Sequence, residues 1–287
     1  MSEDAQVSAT ARRMLVGARL KRLREAKGIS REAAGYTIRA SESKISRLEL
    51  GKVSFKERDV ADLLVLYGVG DPDARDEILE MARQASRPGW WRAYEDVLPT
   101  WFDNYVGLEE TAVAIRTYEI QFVPGLLQTP VYARAVIESG LPTPQPHEVD
   151  RAIALRMARQ RLLERANPPH LWAVIDEAAL RRPVGTAATS KAQLAHLLDL
   201  TERPCITLQI LPLSASAHAV GGGAFTLLRF GDLDLPDIAY LEQLLNAVYI
   251  DRRDQVECYT LLLERLAVEA LTPDDTTRLL HQLLTDV

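Results

Sequence analysis

This chain of 287 residues is 47% hydrophobic and 26% charged, a composition that excludes wholesale disorder and is typical of globular proteins. Its length favours two domains rather than one. Two widely separated cysteines exclude a disulfide framework, and no segment approaches the roughly 18 consecutive apolar residues that a membrane-spanning helix needs. We therefore expect a cytoplasmic protein without a membrane partner.

Charge is distributed unevenly along the chain. Residues 1–58 contain 14 Lys or Arg and 7 Asp or Glu, a balance of +7. The remaining 229 residues contain 20 basic and 33 acidic side chains, a balance of −13. A basic segment joined to an acidic one indicates that the N-terminal part meets a polyanion. Because DNA repels acidic surfaces, the rest of the chain should not contribute to non-specific DNA binding.

The N-terminal part reads as a series of short helices. The first is predicted over residues 11–27 and ends at a glycine. Ser30 and Ser41 are predicted to cap the second and third helices. So few residues separate these two helices that they must cross steeply, which is the geometry of a helix-turn-helix. Further helices are predicted to start at Ser54 and to cover residues 73–85, which completes a five-helix domain.

This segment resembles the Cro/repressor (XRE-type) family of DNA-binding proteins over roughly residues 12–67. Three motifs carry the resemblance: RLKRLREAKG at 19–28, ISRE at 29–32 and SKISRLELG at 43–51. The resemblance implies a buried ion pair between Arg24 on the first helix and Glu49 on the third. Two positions depart from the family pattern, because Gly35 replaces the usual alanine and Arg39 replaces the usual turn glycine.

The third helix is predicted to read DNA bases in the major groove. Its exposed face is predicted to consist of Glu42, Ser43, Lys44 and Arg47. Lys44 or Arg47 could donate to guanine, and Glu42 could accept from the cytosine amine. Phosphate contacts are predicted for Arg31, Lys52 and Lys56. Because one small domain of this kind supplies little affinity, we expect a homodimer on a palindromic or repeated double-stranded site.

An aromatic-rich segment follows the predicted DNA-binding domain. Three of the four tryptophans lie between residues 90 and 101. Clustered aromatic rings could mark base stacking, but the surrounding residues are not basic, so packing of the linker against the next domain or against a dimer mate is favoured. The predicted organisation is a helix-turn-helix domain over 1–85, a linker over 86–104 and a regulatory and dimerisation domain over 105–287.

The third segment alternates between helical and β-type patterns, which predicts an α+β fold that is mostly helical. Helices are predicted over 105–118, 131–138, 148–166, 190–201, 251–270 and 274–284. Strands are predicted over 171–176, 206–211, 224–230 and 237–241. Consecutive strands without long crossovers favour a small, largely antiparallel sheet packed by helices.

A second resemblance covers nearly the whole chain after Trp91. The motifs FVPGLLQTPVYARA at 122–135, RMARQ at 156–160, DEAALRRPVG at 176–185 and QILPL at 209–213 are similar to the C-terminal domain of actinobacterial XRE-type regulators. Those regulators are antitoxin-like and are often encoded beside a small partner protein. The resemblance implies a transcription regulator whose large domain serves regulation, oligomerisation or partner binding.

Catalytic patterns are sparse in the large domain. Its five histidines are scattered at His147, His170, His196, His218 and His281. Neither a metal site nor a nucleophile–base pair is predicted, so we expect no enzyme, no metal and no cofactor. Gln128 and Tyr132 are candidates for lining a pocket. Two roles stay open for this domain: sensing a small-molecule effector, or binding and neutralising a small cognate protein. An enzyme fused to a DNA-binding domain is the third alternative.

Overall fold

The computed structural model describes residues 8–140, 145–215, 223–231 and 235–286. These residues form twelve α-helices and six β-strands, and the chain divides into two compact units. Unit 1 draws its described residues from Met1–Arg92, Val106–Thr111 and Gly231–Leu235. Unit 2 draws them from Ala93–Tyr105, Ala112–Phe230 and Pro236–Val287. The predicted α+β, mostly helical fold class is confirmed.

Unit 1 contains five helices in succession. They are α1 (Ala9–Ala26), α2 (Arg31–Thr37), α3 (Glu42–Glu49), α4 (Glu57–Leu66) and α5 (Pro72–Ala85). Ser30 and Ser41 cap α2 and α3, as predicted, because each hydroxyl accepts a backbone N–H of the first turn. The fourth helix begins later than predicted. Phe55 is buried in the core, and the helix begins two residues after it, at Glu57.

The core of unit 1 brings α1 and α3 into direct backbone contact. Leu20, Ile45 and Leu63 belong to the buried apolar cluster at its centre. A Cβ atom at Gly17 would lie only 2.5 Å from the carbonyl oxygen of Leu48. Glycine is therefore required at this crossing because any side chain would force the two helices apart.

Unit 2 is built around a single mixed sheet. Its helices are α6 (Thr100–Thr111), α7 (Pro130–Gly140), α8 (Pro146–Gln160), α9 (Glu177–Arg181), α10 (Ala187–Thr201), α11 (Arg253–Glu269) and α12 (Pro273–Asp286). Helix α6 begins in unit 2 and ends in unit 1. Its strands are β1 (Ala114–Glu119), β2 (His170–Asp176), β3 (Ile206–Leu211), β4 (Phe225–Arg229), β5 (Ile238–Glu242) and β6 (Ala247–Ile250).

The six strands lie in the order β3-β2-β1-β4-β5-β6. The β1–β2 and β2–β3 pairs are parallel, and the other three pairs are antiparallel. The sheet is therefore mixed: most of its strand pairs are antiparallel, as predicted, but the half that contains β1, β2 and β3 is parallel. Helices α7 to α10 form the crossovers that parallel pairing requires. The sequence pattern did not show that the chain returns to the same sheet after these helices.

Two strands were missed by the sequence patterns. The predicted helix over 105–118 ends at Thr111, and residues 114–119 form β1 instead. This strand is paired on both sides, and Thr117 and Tyr118 are both buried, so it lacks the alternating pattern of a half-exposed strand. The other missed strand, β6, has only four residues.

Helix α11 packs on one face of the sheet, where Val256, Leu263 and Leu266 join the buried cluster of strand residues. The outer edge of β3 is covered by the segment that leads into α12. The Ile210 N–H donates to the Thr276 hydroxyl at 3.1 Å, and the Ile210 carbonyl accepts from the Leu271 N–H at 2.9 Å. This edge is thereby closed to pairing with another strand.

Three aromatic side chains of residues 90–105, those of Trp91, Phe102 and Tyr105, are packed within their own units. Trp91 is buried in unit 1, inside a short 3-10 helix at Trp90–Tyr94. In unit 2, the ring of Tyr105 stacks on Phe102 at 5.1 Å and contacts Tyr240 at 4.2 Å. These contacts account for Trp91, Phe102 and Tyr105 as packing residues.

Candidate nucleic-acid interface

The turn between α2 and α3 has an unusual residue at its centre. Arg39 adopts φ of 54°, in the left-handed region that favours glycine. The Ala40 N–H donates to the Gly35 carbonyl at 2.8 Å, and a Cβ at Gly35 would lie 2.6 Å from the Ala40 carbonyl oxygen. The two departures from the family pattern are therefore neighbours. Gly35 leaves room for a close turn, and Arg39 accepts the backbone strain, which costs on the order of 1 kcal/mol.

A buried ion pair connects α1 to the end of α3. The Arg24 guanidinium binds the Glu49 carboxylate through Nε and through Nη2, the latter at 3.0 Å. Both side chains are less than a tenth exposed. The hydrogen bond to Glu49 raises the pKa of Arg24, which stays charged. Arg31 of α2 reaches the same carboxylate at 3.1 Å, so a residue predicted to contact phosphate also belongs to this group.

The predicted reading face of α3 separates cleanly from its core face. Glu42, Ser43 and Arg47 are exposed, whereas Ile45 and Leu48 are buried. This division follows from the helical repeat, which places residues three or four positions apart on the same side. Three of the four predicted base-reading side chains are thus available to a ligand.

Lys44 differs from the other three candidates. Its ammonium group lies 3.1 Å from Oδ2 of Asp59, a buried carboxylate in the first turn of α4. The Lys44 side chain is about one third exposed. It helps to neutralise a buried charge, a role that a sequence pattern does not reveal because the partner lies on another helix.

Additional exposed groups flank α3. Lys52 and Lys56, both predicted to contact phosphate, are exposed. Tyr36 on α2 is 88% exposed, although tyrosine usually buries most of its ring. Sequence reasoning missed Tyr36. The available signal was an aromatic side chain on the polar side of a very short helix.

Gln128 and Tyr132, the predicted pocket residues of unit 2, are both buried. The Gln128 amide donates to the Val123 carbonyl at 2.7 Å and accepts from Arg156 at 2.6 Å. The Tyr132 hydroxyl accepts the Val123 N–H at 3.3 Å. Both side chains therefore hold the turn that precedes α7, and Gln128 also connects it to α8.

Other charged groups of unit 2 have structural partners. Asp176 caps α9 by accepting the Ala178 N–H, and Glu177 accepts the Leu213 N–H at 2.9 Å. Within the described ranges, no group of three or more His, Cys, Asp or Glu side chains could hold a metal ion. His218 lies outside the described residues. Cys258 is exposed on α11.

Comparison with known families agrees with the geometry of unit 1. Residues 15–78 match a helix-turn-helix domain, which defines the chain as a helix-turn-helix protein with DNA as its partner. Residues 102–282, more than half of the chain, match the family described as a domain of unknown function, DUF5753. The chain belongs to that family. No curated protein and no solved structure was found to match it. No described helix is long and apolar enough to cross a membrane.

Proposed function

We propose that this protein is a transcription regulator that reads a specific DNA sequence with α3 and binds a small-molecule effector through unit 2. The observation that carries the DNA-reading role is the exposed polar face of α3, opposite a fully buried apolar face. Arg47 donates to guanine, and Glu42 accepts from a cytosine amine. Ser43 is small enough to approach a base edge closely, and its hydroxyl can donate to or accept from that base.

Basic and aromatic groups around α3 would position the domain on the DNA backbone. Lys52 and Lys56 contact phosphates, which fixes orientation without reading sequence. Arg31 is half-exposed, so its outer nitrogens can reach a phosphate while its Nε holds Glu49. Tyr36 lies against the sugar–phosphate backbone. Lys44 reads a base only if its ion pair with Asp59 opens.

A homodimer is proposed because one such domain buries little DNA surface. Single recognition modules cover about 600–1,000 Å², which is less than most specific complexes. Two copies on a palindromic or repeated site would double the contacts and restrict the spacing of the half-sites.

The test starts by selecting bound DNA from a random-sequence library with the full chain. The selected site should contain two related half-sites. Arg47→Ala should then weaken binding by roughly 1–3 kcal/mol and relax the preference at one base pair. Lys191→Ala removes one exposed positive charge from α10 and is the matched control. Equal binding by both variants and the wild type would exclude the proposed reading face.

An antitoxin-like role is the second candidate for unit 2. The balance of −13 after residue 58 favours a basic partner. Leu244 and Leu245, at the tip of the β5–β6 hairpin, are 84% and 79% exposed and offer an apolar contact. This role predicts that a small basic protein co-purifies in equal amount and that Leu244→Ser with Leu245→Ser releases it. Retention of the protein by the double variant would exclude this surface.

A further inference from the structure

One face of the unit 2 sheet carries a row of polar side chains across four strands. Register pairs Thr117 with Thr226, Thr226 with Tyr240, and Tyr240 with Tyr249. Cross-strand partners point to the same face of a sheet. The Thr117 and Thr226 hydroxyls are 3.0 Å apart, which agrees with that geometry. The row is hydroxyl-rich although the middle of a sheet face is usually apolar.

Two carboxylates lie one step further along the same face. Glu119 is two residues beyond Thr117, and Glu242 is two residues beyond Tyr240, so each shares the face of its predecessor. Continuing the register by one residue places Ala224 between them. Since neighbouring strands are about 4.8 Å apart, the small Ala224 side chain leaves a gap between two acidic groups.

Basic side chains of α8 lie near this face of the sheet. Arg159 lies over the rings of Phe102 and Tyr105, and Tyr105 in turn contacts Tyr240 of the row. Arg156, one helical turn earlier, is on the same side of α8. We define the β1–α8 cluster as Glu119, Glu242, Arg156, Gln128 and Tyr240. The cluster brings together side chains from two of the sequence motifs, those at residues 122–135 and 156–160.

No direct ion pair joins the opposite charges of the β1–α8 cluster among the described residues, although Glu242 is close enough to act on the charge of Arg156. Among the described residues, the hydrogen-bond partners of Glu119 and Glu242 are hydroxyls, Thr117 at 3.4 Å and Tyr240 at 3.0 Å. Arg156 donates to the neutral amide of Gln128 instead of a carboxylate. Withdrawing ionisable groups from water without a direct ionic hydrogen bond is costly, so such an arrangement points to a missing ionic partner.

The titration behaviour of the cluster agrees with this geometry. Burial, followed by repulsion from Glu242, raises the pKa of Glu119 to about 8. Burial, followed by repulsion from Arg159, lowers the pKa of Arg156 to about 10, and attraction from Glu242 opposes this shift only in part. Both side chains nevertheless retain accessible surface. A small ligand can therefore reach both groups.

We propose that the β1–α8 cluster binds a small zwitterion of the α-amino-acid class, whose ammonium group lies between Glu119 and Glu242 and whose carboxylate pairs with Arg156. The two acidic groups across Ala224 match a cation, and the planar guanidinium matches a carboxylate. This inference deepens, and rests on, the proposed role of unit 2 as the effector-binding part of the regulator.

The test measures binding to the full chain without DNA. Each of the twenty protein amino acids is added at millimolar concentration, and thermal shift followed by titration calorimetry reports binding. Propylamine and propionate serve as probes with only an amine or only a carboxylate. We expect at least one amino acid to bind and neither single-charge probe to do so. Binding should release close to one proton per chain near pH 7, because an ammonium group beside Glu119 lowers its pKa.

Three variants locate the site. Glu119→Gln, Glu242→Gln and Arg156→Gln should each weaken binding roughly ten- to a hundredfold, whereas the exposed controls Glu164→Gln and Arg161→Gln should leave it unchanged. Glu119→Gln keeps the shape of the protonated side chain, so loss of binding in that variant does not come from misfolding. Absence of amino-acid binding, equal binding of a single-charge probe, or full binding by the three variants would overturn the proposal.

DNA affinity is measured separately, in the same variants without amino acid. If those variants bind DNA normally but no amino acid binds to the wild type, the cluster proposal fails while the reading face of α3 stands. If an amino acid binds at the cluster but the chain selects no DNA sequence, the regulator function fails and the binding site stands.

Discussion

Replacing Arg24 with methionine would test the ion pair that fixes α3. Methionine keeps most of the aliphatic stem and removes the charge that neutralises Glu49, whose side chain is only 3% exposed. Removing one partner of a buried pair costs roughly 3–5 kcal/mol. Arg31 remains at 3.1 Å from the carboxylate and reduces this cost, while the lost hydrogen bond from Arg24 to the Ile29 carbonyl adds about 1 kcal/mol. We expect a loss of about 3–4 kcal/mol.

Urea unfolding of the full chain gives the free energy, and hydrogen exchange of peptides from α1 and α3 assigns the change to unit 1. Arg19→Met is the matched control, because Arg19 pairs with Glu77 at the surface of the same unit. It should cost less than about 1 kcal/mol. The double variant Arg24→Met with Glu49→Leu should recover most of the stability. The reasoning is refuted if Arg24→Met costs no more than Arg19→Met, or if the double variant is as unstable as the single one.

Three further predictions concern other contacts. Gly17→Ala should destabilise unit 1 by roughly 1–3 kcal/mol in urea melts because its Cβ meets backbone atoms of α3, whereas Gly70→Ala, with open space, should not. Lys44→Ala should lower stability by leaving the buried Asp59 carboxylate without its ammonium partner, and Lys44→Ala with Asp59→Asn should restore it in the same melts. Because the folded pKa of Glu119 is raised to about 8, the folded state holds its proton longer, and this contribution to stability declines between about pH 4.5 and 8. The melting temperature of Glu119→Gln should therefore increase relative to that of the wild type as pH rises through that range. A constant difference between the two melting temperatures would contradict the raised pKa of Glu119.

The helix-turn-helix could be predicted because its signals are local. Ser30 and Ser41 cap the helices that follow them, and the glycines at the ends of α1 and α3 adopt positive φ. Phe55 shows the limit of that approach, since its burial in the core overrides the cap signal of Ser54.

Unit 2 could be predicted only in part because its decisive contacts are distant in sequence. Strand β1 lies next to β2 and β4, and its burial on both faces removes the pattern that identifies a strand. The two carboxylates of the β1–α8 cluster, Glu119 and Glu242, share a face only through the register of β4 and β5. No spacing along the chain indicates such a pair.

One carboxylate of α3, that of Glu49, binds arginine side chains from both α1 and α2. The orientation of α3 is therefore set during folding, so little conformational entropy is lost when it meets DNA. Such a preorganised body does not tilt its reading helix in response to a distant event. In the proposed homodimer, an effector that changes DNA affinity would instead act on the distance between the two DNA-reading units, and half-site spacing would become the quantity that regulation adjusts.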